Sequence, residues 1–328
     1  MRRAMRLLSI GLGGLLASGC LEGWVSESAP TDADLHAVFG VEGGGVWAVG
    51  ADGTVLVRSD SGWSQLDSGV EVDLHGVWGS GPEHVLAVGA ECTALEFNGA
   101  PEPAADGGEE PPDLRPVEVE GCPDFVAVHG HDPADANAVG SGRIYWYNGQ
   151  QLARGGWHAD NLLGIHVNSD SDRHMCGDDG LYRRHDGENW SRHHVEVCPV
   201  ALVEGECPME TSRPILWDVW ADETGAGALV ANAGGLWRLP PPEEDAGWEA
   251  LETHMSGDLR AVHGRSLDGG GTEIYTVGNS GVVLRLSGGE PKRQDVGTNQ
   301  DLLGVWVAPD GGDVYAVGRA GTIVHLVR

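Results

Sequence analysis

Apolar positions along this chain fall in short runs of four to six residues, each cut off by Gly, Asp or Asn, and the runs recur in a fixed order. Asp34-Leu-His-Ala-Val-Phe39 returns as Asp73-Leu-His-Gly-Val-Trp78, Asp124-Phe-Val-Ala-Val-His129 and Asn161-Leu-Leu-Gly-Ile-His166. It returns again as Ile215-Leu-Trp-Asp-Val-Trp220, Asp258-Leu-Arg-Ala-Val-His263 and Asp301-Leu-Leu-Gly-Val-Trp306. The leading apolar residues, Leu35, Leu74, Phe125, Leu162, Leu216, Leu259 and Leu302, are spaced 39, 51, 37, 54, 43 and 43 apart. A second run follows each copy, as in Val46-Trp-Ala-Val-Gly50 and Val314-Tyr-Ala-Val-Gly318, then a glycine turn and a third run such as Thr54-Val-Leu-Val-Arg58. A fourth run usually opens with tryptophan: Trp63, Trp157, Trp190 and Trp248. Short, β-rich, turn-bounded runs predict strands. Four of them in a repeat of about 40 residues make one propeller blade.

The seventh repeat is short, because the chain ends 26 residues after Leu302. The missing strand lies at the other end. Gly23-Trp24-Val25-Ser26 begins 12 residues before Leu35, as Gly62-Trp63-Ser64-Gln65 begins 12 before Leu74. The sequence therefore predicts an all-β, seven-bladed β-propeller of four-stranded blades. Its N-terminal strand, about 23–28, completes the last blade, about 302–328, in a 3+1 closure that removes two exposed sheet edges. Residues 23–328 form a single domain in this reading.

Composition agrees with a core interrupted by many turns. Of 328 residues 52 are Gly and 41% are hydrophobic, which separates the chain from a disordered acidic tail. Asp and Glu number 50 against 20 Lys and Arg, a formal charge of -30. Phosphate binding needs clustered Lys and Arg, so no nucleic-acid partner is expected. In a propeller the first-to-second and third-to-fourth connections share one face. Acids such as Glu83, Asp132, Asp170, Asp222, Asp268 and Asp310 fall there, so that face is expected to carry most of the charge.

The first twenty residues, MRRAMRLLSIGLGGLLASGC, place Arg2, Arg3 and Arg6 before ten residues of mostly apolar character. That stretch is too short to span a bilayer and reads as a cleaved signal. Its end, Ala17-Ser-Gly-Cys20, resembles the lipobox of bacterial lipoproteins, with Ala17 where Leu or Val is usual. The resemblance implies a signal peptide over 1–19, a diacylated Cys20 and a short tether over 20–22. Losing 1–19 removes three arginines and no acid, taking the charge from -30 to -33. It also implies a protein anchored in the bacterial cell envelope, in the outer rather than the inner membrane, periplasmic or surface-exposed.

The repeat L-H-G-V-W-G … V-x-A-V-G … D-G-x-x-W resembles the Asp-box (BNR-like) propellers of bacterial envelope proteins and the photosystem II assembly-factor type of propeller. Ser59-Asp60-Ser61-Gly62-Trp63 and His185-Asp186-Gly187-Glu188-Asn189-Trp190 carry degraded Asp-boxes. The resemblance implies a non-enzymatic, monomeric platform for an envelope protein or another ligand. Two alternatives follow from it: a glycan-binding or sialidase-like glycoside hydrolase, and an assembly factor for a membrane complex. Sialidase sites need three arginines converging on a carboxylate and a Tyr–Glu pair. Arginine is sparse here, Tyr275 and Tyr315 sit in second-strand core positions, and no catalytic residues are assigned. Aromatics exposed at the channel mouth would favour the glycan reading; rings packed between blades would count against it.

Three further groups bear on chemistry. An exported chain is expected to form disulfides. Cys92 and Cys122 bracket the insertion of blade 2, and Cys198 and Cys207 bracket the loop leaving blade 4. Those are the preferred pairs, with Cys176–Cys198 as the competing connectivity and Cys176 otherwise a buried free thiol. Eight of 14 histidines lie between His129 and His194, a spread that fits a solvated surface better than a zinc site. His129, His166 and His263 share the fifth motif position, where packing between blades is expected rather than metal ligation. Asn168-Ser-Asp170-Ser-Asp172 offers the alternating oxygens that begin a calcium loop. Asn168, Asp170 and Asp172 are thus the candidate calcium ligands, but the glycine and closing glutamate of such a loop are missing and a polar turn is expected. No other cofactor is implied.

Overall fold

The computed structural model describes residues 23–98, 113–157, 160–197, 211–239 and 248–328. Cys20, Cys198 and Cys207 lie outside these residues. Seven sheets form, each with an antiparallel core of four strands that runs in chain order from an inner strand outward in all but blade 7, whose fourth strand comes from the N-terminal end. The inner strands are Leu35–Val41, Leu74–Gly81, Phe125–Asp132, Leu162–Ser169, Leu216–Ala221, Leu259–Ser266 and Leu302–Val307, defining blades 1 to 7. Blade 7 has the order Leu302–Val307, Val314–Gly318, Ile323–Val327, Gly23–Glu27. Its outermost strand pairs antiparallel with Ile323–Val327, Gly23 opposite Val327 and Glu27 opposite Ile323. This is the 3+1 closure read from the orphan Trp24 segment.

The core is divided into seven apolar clusters, one in each gap between neighbouring blades. Leu86 and Val88 of blade 2 pack on Phe125 and Ala138 of blade 3, for example, and Leu56 of blade 1 packs on Tyr315 of blade 7. Inner and second strands are therefore buried on both faces. This is why the second runs read as unbroken apolar stretches such as Val85-Leu-Ala-Val88, all 0% exposed.

The glycine ending six of the second runs has a steric cause. Gly50, Gly89, Gly140, Gly177, Gly278 and Gly318 each lie against the carbonyl oxygen of the residue that opens the motif in the same blade, so a Cβ would overlap backbone. The motif aspartates do the complementary work between blades. Asp73, Asp124, Asp258, Asp301 and Asp34 accept the backbone N–H of Asp52, Glu91, Ala233, Ser280 and Ala320, at 2.8–3.1 Å. Each donor is a non-glycine residue with positive φ, 52–59°, in the second-to-third turn of the preceding blade. One side chain thus caps a tight turn and joins two blades.

Several details depart from the sequence reading. Trp157 ends the strand Gln151–Trp157 rather than opening it. The blade 2 insertion returns earlier than expected, with Asp113–Pro116 as the fourth strand. Glu118–Val119 then adds a fifth strand to blade 3, parallel to Gln151–Trp157. Acid is found on the opposite face as well. The aspartates that cap the second-to-third turns lie on the opposite face, joined there by acids of other fourth-to-first connections such as Asp67 and Glu71.

Candidate functional site: the axial plug and bowl

Every inner strand carries an irregularity at the same place. Register shifts by one residue between its first and third positions in all seven blades. A β-bulge re-aims the extra side chain and bends the strand. The extra residues, among them His36, His75, Trp217 and Arg260, ring a cavity of about 190 Å³ at one end of the propeller axis. His36 Nδ1 donates to the Leu74 carbonyl at 2.9 Å and His75 Nδ1 to that of Phe125 at 2.7 Å, each in the next blade. The Arg260 guanidinium lies 4.4 Å from the Trp217 ring centre.

At the fifth motif position the side chains divide into two groups. Trp306 and Trp220, 8% and 5% exposed, slide between blades over Gly40 and Gly264 of the next blade, where a Cβ would strike their rings. The three histidines meet Phe39 on the axis. His166 lies 4.4 Å from His129 and 6.5 Å from His263, ring centre to ring centre. Phe39 stands edge-on to His129 and His263 at 6.0 and 6.4 Å. Packing between blades thus holds for the tryptophans, while the histidines form an axial plug.

The plug imidazoles have fixed tautomers. The Val167 N–H donates to His129 Nδ1 and the Val307 N–H to His263 Nδ1, both at 3.1 Å from the next blade. With Nδ1 accepting, the proton sits on Nε2. His166 is hydrogen-bonded to the backbone at Ala221, and its Nε2 donates to Asn168 Oδ1 at 3.0 Å. Burial and the neighbouring imidazoles keep all three neutral, lowering His166 to about 4 and His263 to about 3 and holding His129 well below the usual range. A protonated Nε2 offers no lone pair to a metal. Three histidines at one depth are here hydrogen-bond donors.

Beyond the plug the channel opens into a bowl of about 600 Å³, lined from all seven blades. Its floor is Phe39, His129, His166 and His263. The Nε2 atoms of His129 and His263 make no hydrogen bond among the described residues, and both rings, part-buried, line the axial space. The wall carries Glu42, Asp222 and Glu223 and one cation, Arg265. Asp222 is engaged internally, accepting from Thr224, Ala226 and Ser266. Arg265 donates to Glu273 at 2.8 Å. Glu42 and Glu223 are exposed and, among the described residues, not ion-paired.

The other sequence candidates fall elsewhere. Asn168 and Asp172 meet across their shared turn, while Asp170 is directed elsewhere. Asn168 Nδ2 donates to Asp172 at 2.8 Å. Asp170 meets Arg173 at 3.2 Å and His131 at 3.4 Å, while Asp172 meets Arg184 at 2.9 Å and His174 at 3.1 Å. Cations thus already serve both carboxylates. His174, 1% exposed, also bonds the Tyr182 hydroxyl at 2.7 Å, so this stretch of histidines is only partly a surface feature. Cys92 and Cys122 form the expected disulfide, and Cys176 is a buried free thiol. Arginines do converge on a carboxylate: Arg265, Arg285 and Arg328 reach Glu273 beside Tyr275. That carboxylate is the protein's own, buried between blades 6 and 7. The Asp-box residue Asp186 accepts the N–H groups of Glu188 and Asn189 at 3.0 and 2.7 Å, a turn-forming role.

Sequence reasoning missed Asp218, which takes the third motif position that is small in the other six blades. Its carboxylate accepts the N–H groups of Val219 and Val262 at 2.9 Å each, and burial pushes its pKa up to about 7. The break in the small-residue pattern was the available signal.

Together these features define a closed seven-bladed propeller with a plugged axis and a bowl on one face. No family model matches the sequence, and no curated protein sequence matches it. Solved structures do resemble it. The structure described as YCF48 bound to D1 peptide superposes with a TM-score of 0.71 at 12% identity, covering 94% of this chain and 96% of that one. YCF48 from Cyanidioschyzon merolae gives 0.67 at 14% identity, over 93% and 98%. The WD40 β-propeller domain of Doa1 gives 0.68 at 13% identity, over 94% and 98%. At these identities the likeness is one of fold.

Proposed function

We propose that this protein is a non-enzymatic binding platform that presents the bowl to a protein partner, held in the bacterial cell envelope by a lipid on Cys20. The observation that carries the reading is the bowl itself, walled by all seven blades and floored by fixed, neutral donor groups. The strand Gly23–Glu27 starts beside Val327, and Arg328 donates to the Gly311 carbonyl in the first-to-second connection of blade 7. The chain therefore enters the propeller on the bowl face, so an anchor at Cys20 would turn that face toward the membrane. No helix among the described residues is long and apolar enough to cross a membrane. One similar fold is a peptide complex, which supports a protein partner and keeps an assembly factor as the more specific form of this reading. The burial of Trp220 and Trp306 between blades counts against a glycan site, which would use such rings as stacking surfaces.

Two measurements test it. Cys20→Ser should abolish metabolic labelling with an alkyne fatty acid and release the protein from membranes; continued labelling would remove the anchor. A photo-crosslinker at Ser80, on the bowl, should capture one discrete envelope protein that the same probe at Glu71, on the opposite face, does not. Equal or absent capture at both positions would end the platform reading.

A further inference from the structure

We infer that the bowl receives a basic segment of polypeptide, with backbone carbonyl oxygens on the imidazole Nε2–H donors and basic side chains on Glu42 and Glu223; the inference rests on the platform reading and names the chemistry of its partner. The floor sets one requirement. His129 and His263 accept backbone N–H groups at Nδ1, so each carries its proton on Nε2, which makes no hydrogen bond among the described residues and lies on the part-buried floor of the bowl. A group offering only N–H or cationic atoms would leave them unsatisfied, and an oxygen acceptor would not. The imidazoles are neutral, so they pair with an uncharged carbonyl without needing a carboxylate.

The wall sets the other requirement. Glu42 comes from blade 1 and Glu223 from blade 5, on opposite sides of the mouth, and both carboxylates are exposed and not ion-paired among the described residues. The single cation on the wall, Arg265, is held by Glu273 and the Asp310 carbonyl. An anionic ligand would have to enter between two free carboxylates, whereas a Lys or Arg side chain would gain from each. Carbonyl acceptors and cations occur together, a few ångströms apart, in a basic peptide. The bowl, at about 600 Å³, has the size of a site for a short segment of a few residues rather than a folded domain.

The test uses the full chain in detergent and end-blocked Gly-Arg-Gly-Lys-Gly, with its Glu counterpart and an all-glycine peptide, by calorimetry. The basic peptide should bind at least about tenfold more tightly than the acidic one, and more weakly as salt is raised. Glu42→Gln combined with Glu223→Gln, both at exposed positions, should weaken it about tenfold and flatten the salt dependence. His263→Asn keeps an acceptor for the Val307 amide and withdraws the donor from the Nε2 position, its own shorter N–H group lying back toward the strand, and should weaken binding severalfold with the salt dependence unchanged. Equal binding of basic and acidic peptides, no binding of either, or no effect of these variants would overturn the inference. If peptide binding fails while the Ser80 crosslink persists in the same variants, the platform stands and its basic-peptide chemistry falls; if both fail, the platform falls with it.

Discussion

Glu27 of the first strand accepts two hydrogen bonds from the Arg58 guanidinium, at 2.9 and 3.0 Å, across the gap between blade 7 and blade 1. The same carboxylate accepts from Trp63 Nε1 at 2.7 Å and meets His325 Nδ1 at 3.0 Å. The N-terminal strand is thus tied to the last blade by its ladder and to the first blade by one acid. Glu27→Ala leaves a partly buried guanidinium without that acceptor and should cost about 2–4 kcal/mol, read as a lowered denaturation midpoint. Arg58 and Trp63 hold Glu27 below its usual pKa despite the opposing effect of burial. This contribution is therefore present above the unfolded carboxyl pKa and is lost as pH falls through the lower folded value. A midpoint difference between wild type and Glu27→Ala that stayed constant on acidification would contradict this.

Gly278→Ala should be among the most damaging single-methyl changes in the protein. The Cβ would meet the Asp258 carbonyl oxygen and the Leu259 backbone, neither of which can swing aside as a side chain can. A cost of about 2–4 kcal/mol is expected. Gly62→Ala makes a control of a different kind, since its φ of 105° strains an alanine but nothing lies near its Cβ. Equal thermal stability of Gly278→Ala and wild type would show that the inner and second strands are looser than described.

The Cys92–Cys122 bridge closes a span of 30 residues. On a chain-entropy basis its removal by Cys92→Ser with Cys122→Ser should cost about 3–4 kcal/mol. Oxidised and reduced wild type should differ by the same amount. Thiol titration under denaturing conditions, with and without reductant, checks that the bridge is present.

Asp218 opposes the usual pH trend. Its folded pKa is raised to about 7 while the unfolded carboxyl titrates near 4, so folding is penalised increasingly as pH rises through that interval. Asp218→Ala removes the penalty but leaves the Val262 N–H without its acceptor. The difference in stability between alanine and wild type should therefore move toward alanine by about 2–4 kcal/mol between pH 4 and pH 8. The plug histidines act in the other direction: neutral in the fold, they lower stability as pH falls below about 6.5 toward their depressed values. Denaturation of both proteins across this range separates the two effects.

Much of the architecture was legible because a propeller repeats its physics. The apolar-x-x-Val or Ile core of every inner strand and the glycine that ends six of the second strands answer the same local constraints from blade to blade, so seven copies stand out of one chain. The displaced Trp24 strand was legible for the same reason: a fourth strand without a blade and a blade without a fourth strand must satisfy each other's backbone hydrogen bonds. The spacing of Cys92 and Cys122 around one insertion also sufficed for their pairing.

The candidate site was not legible in that way. Phe39, His129, His166 and His263 occupy one motif position with Trp220 and Trp306, and nothing in their identity says which rings meet on the axis and which slip between blades. That depends on whether the facing residue of the next blade leaves room, as Gly40 and Gly264 do, and on which imidazole a neighbouring amide can reach. That Glu42 and Glu223 are not ion-paired among the described residues, while Asp170, Asp172 and Asp222 are engaged, likewise depends on partners brought from distant positions. Sequence alone determined the number of blades, their closure and the acidic balance, because those follow from local periodicity and composition. Only the tertiary structure decided the tautomers of the plug, the placement of charge on both faces and the bowl, because each arises where seven separate strands converge on one axis.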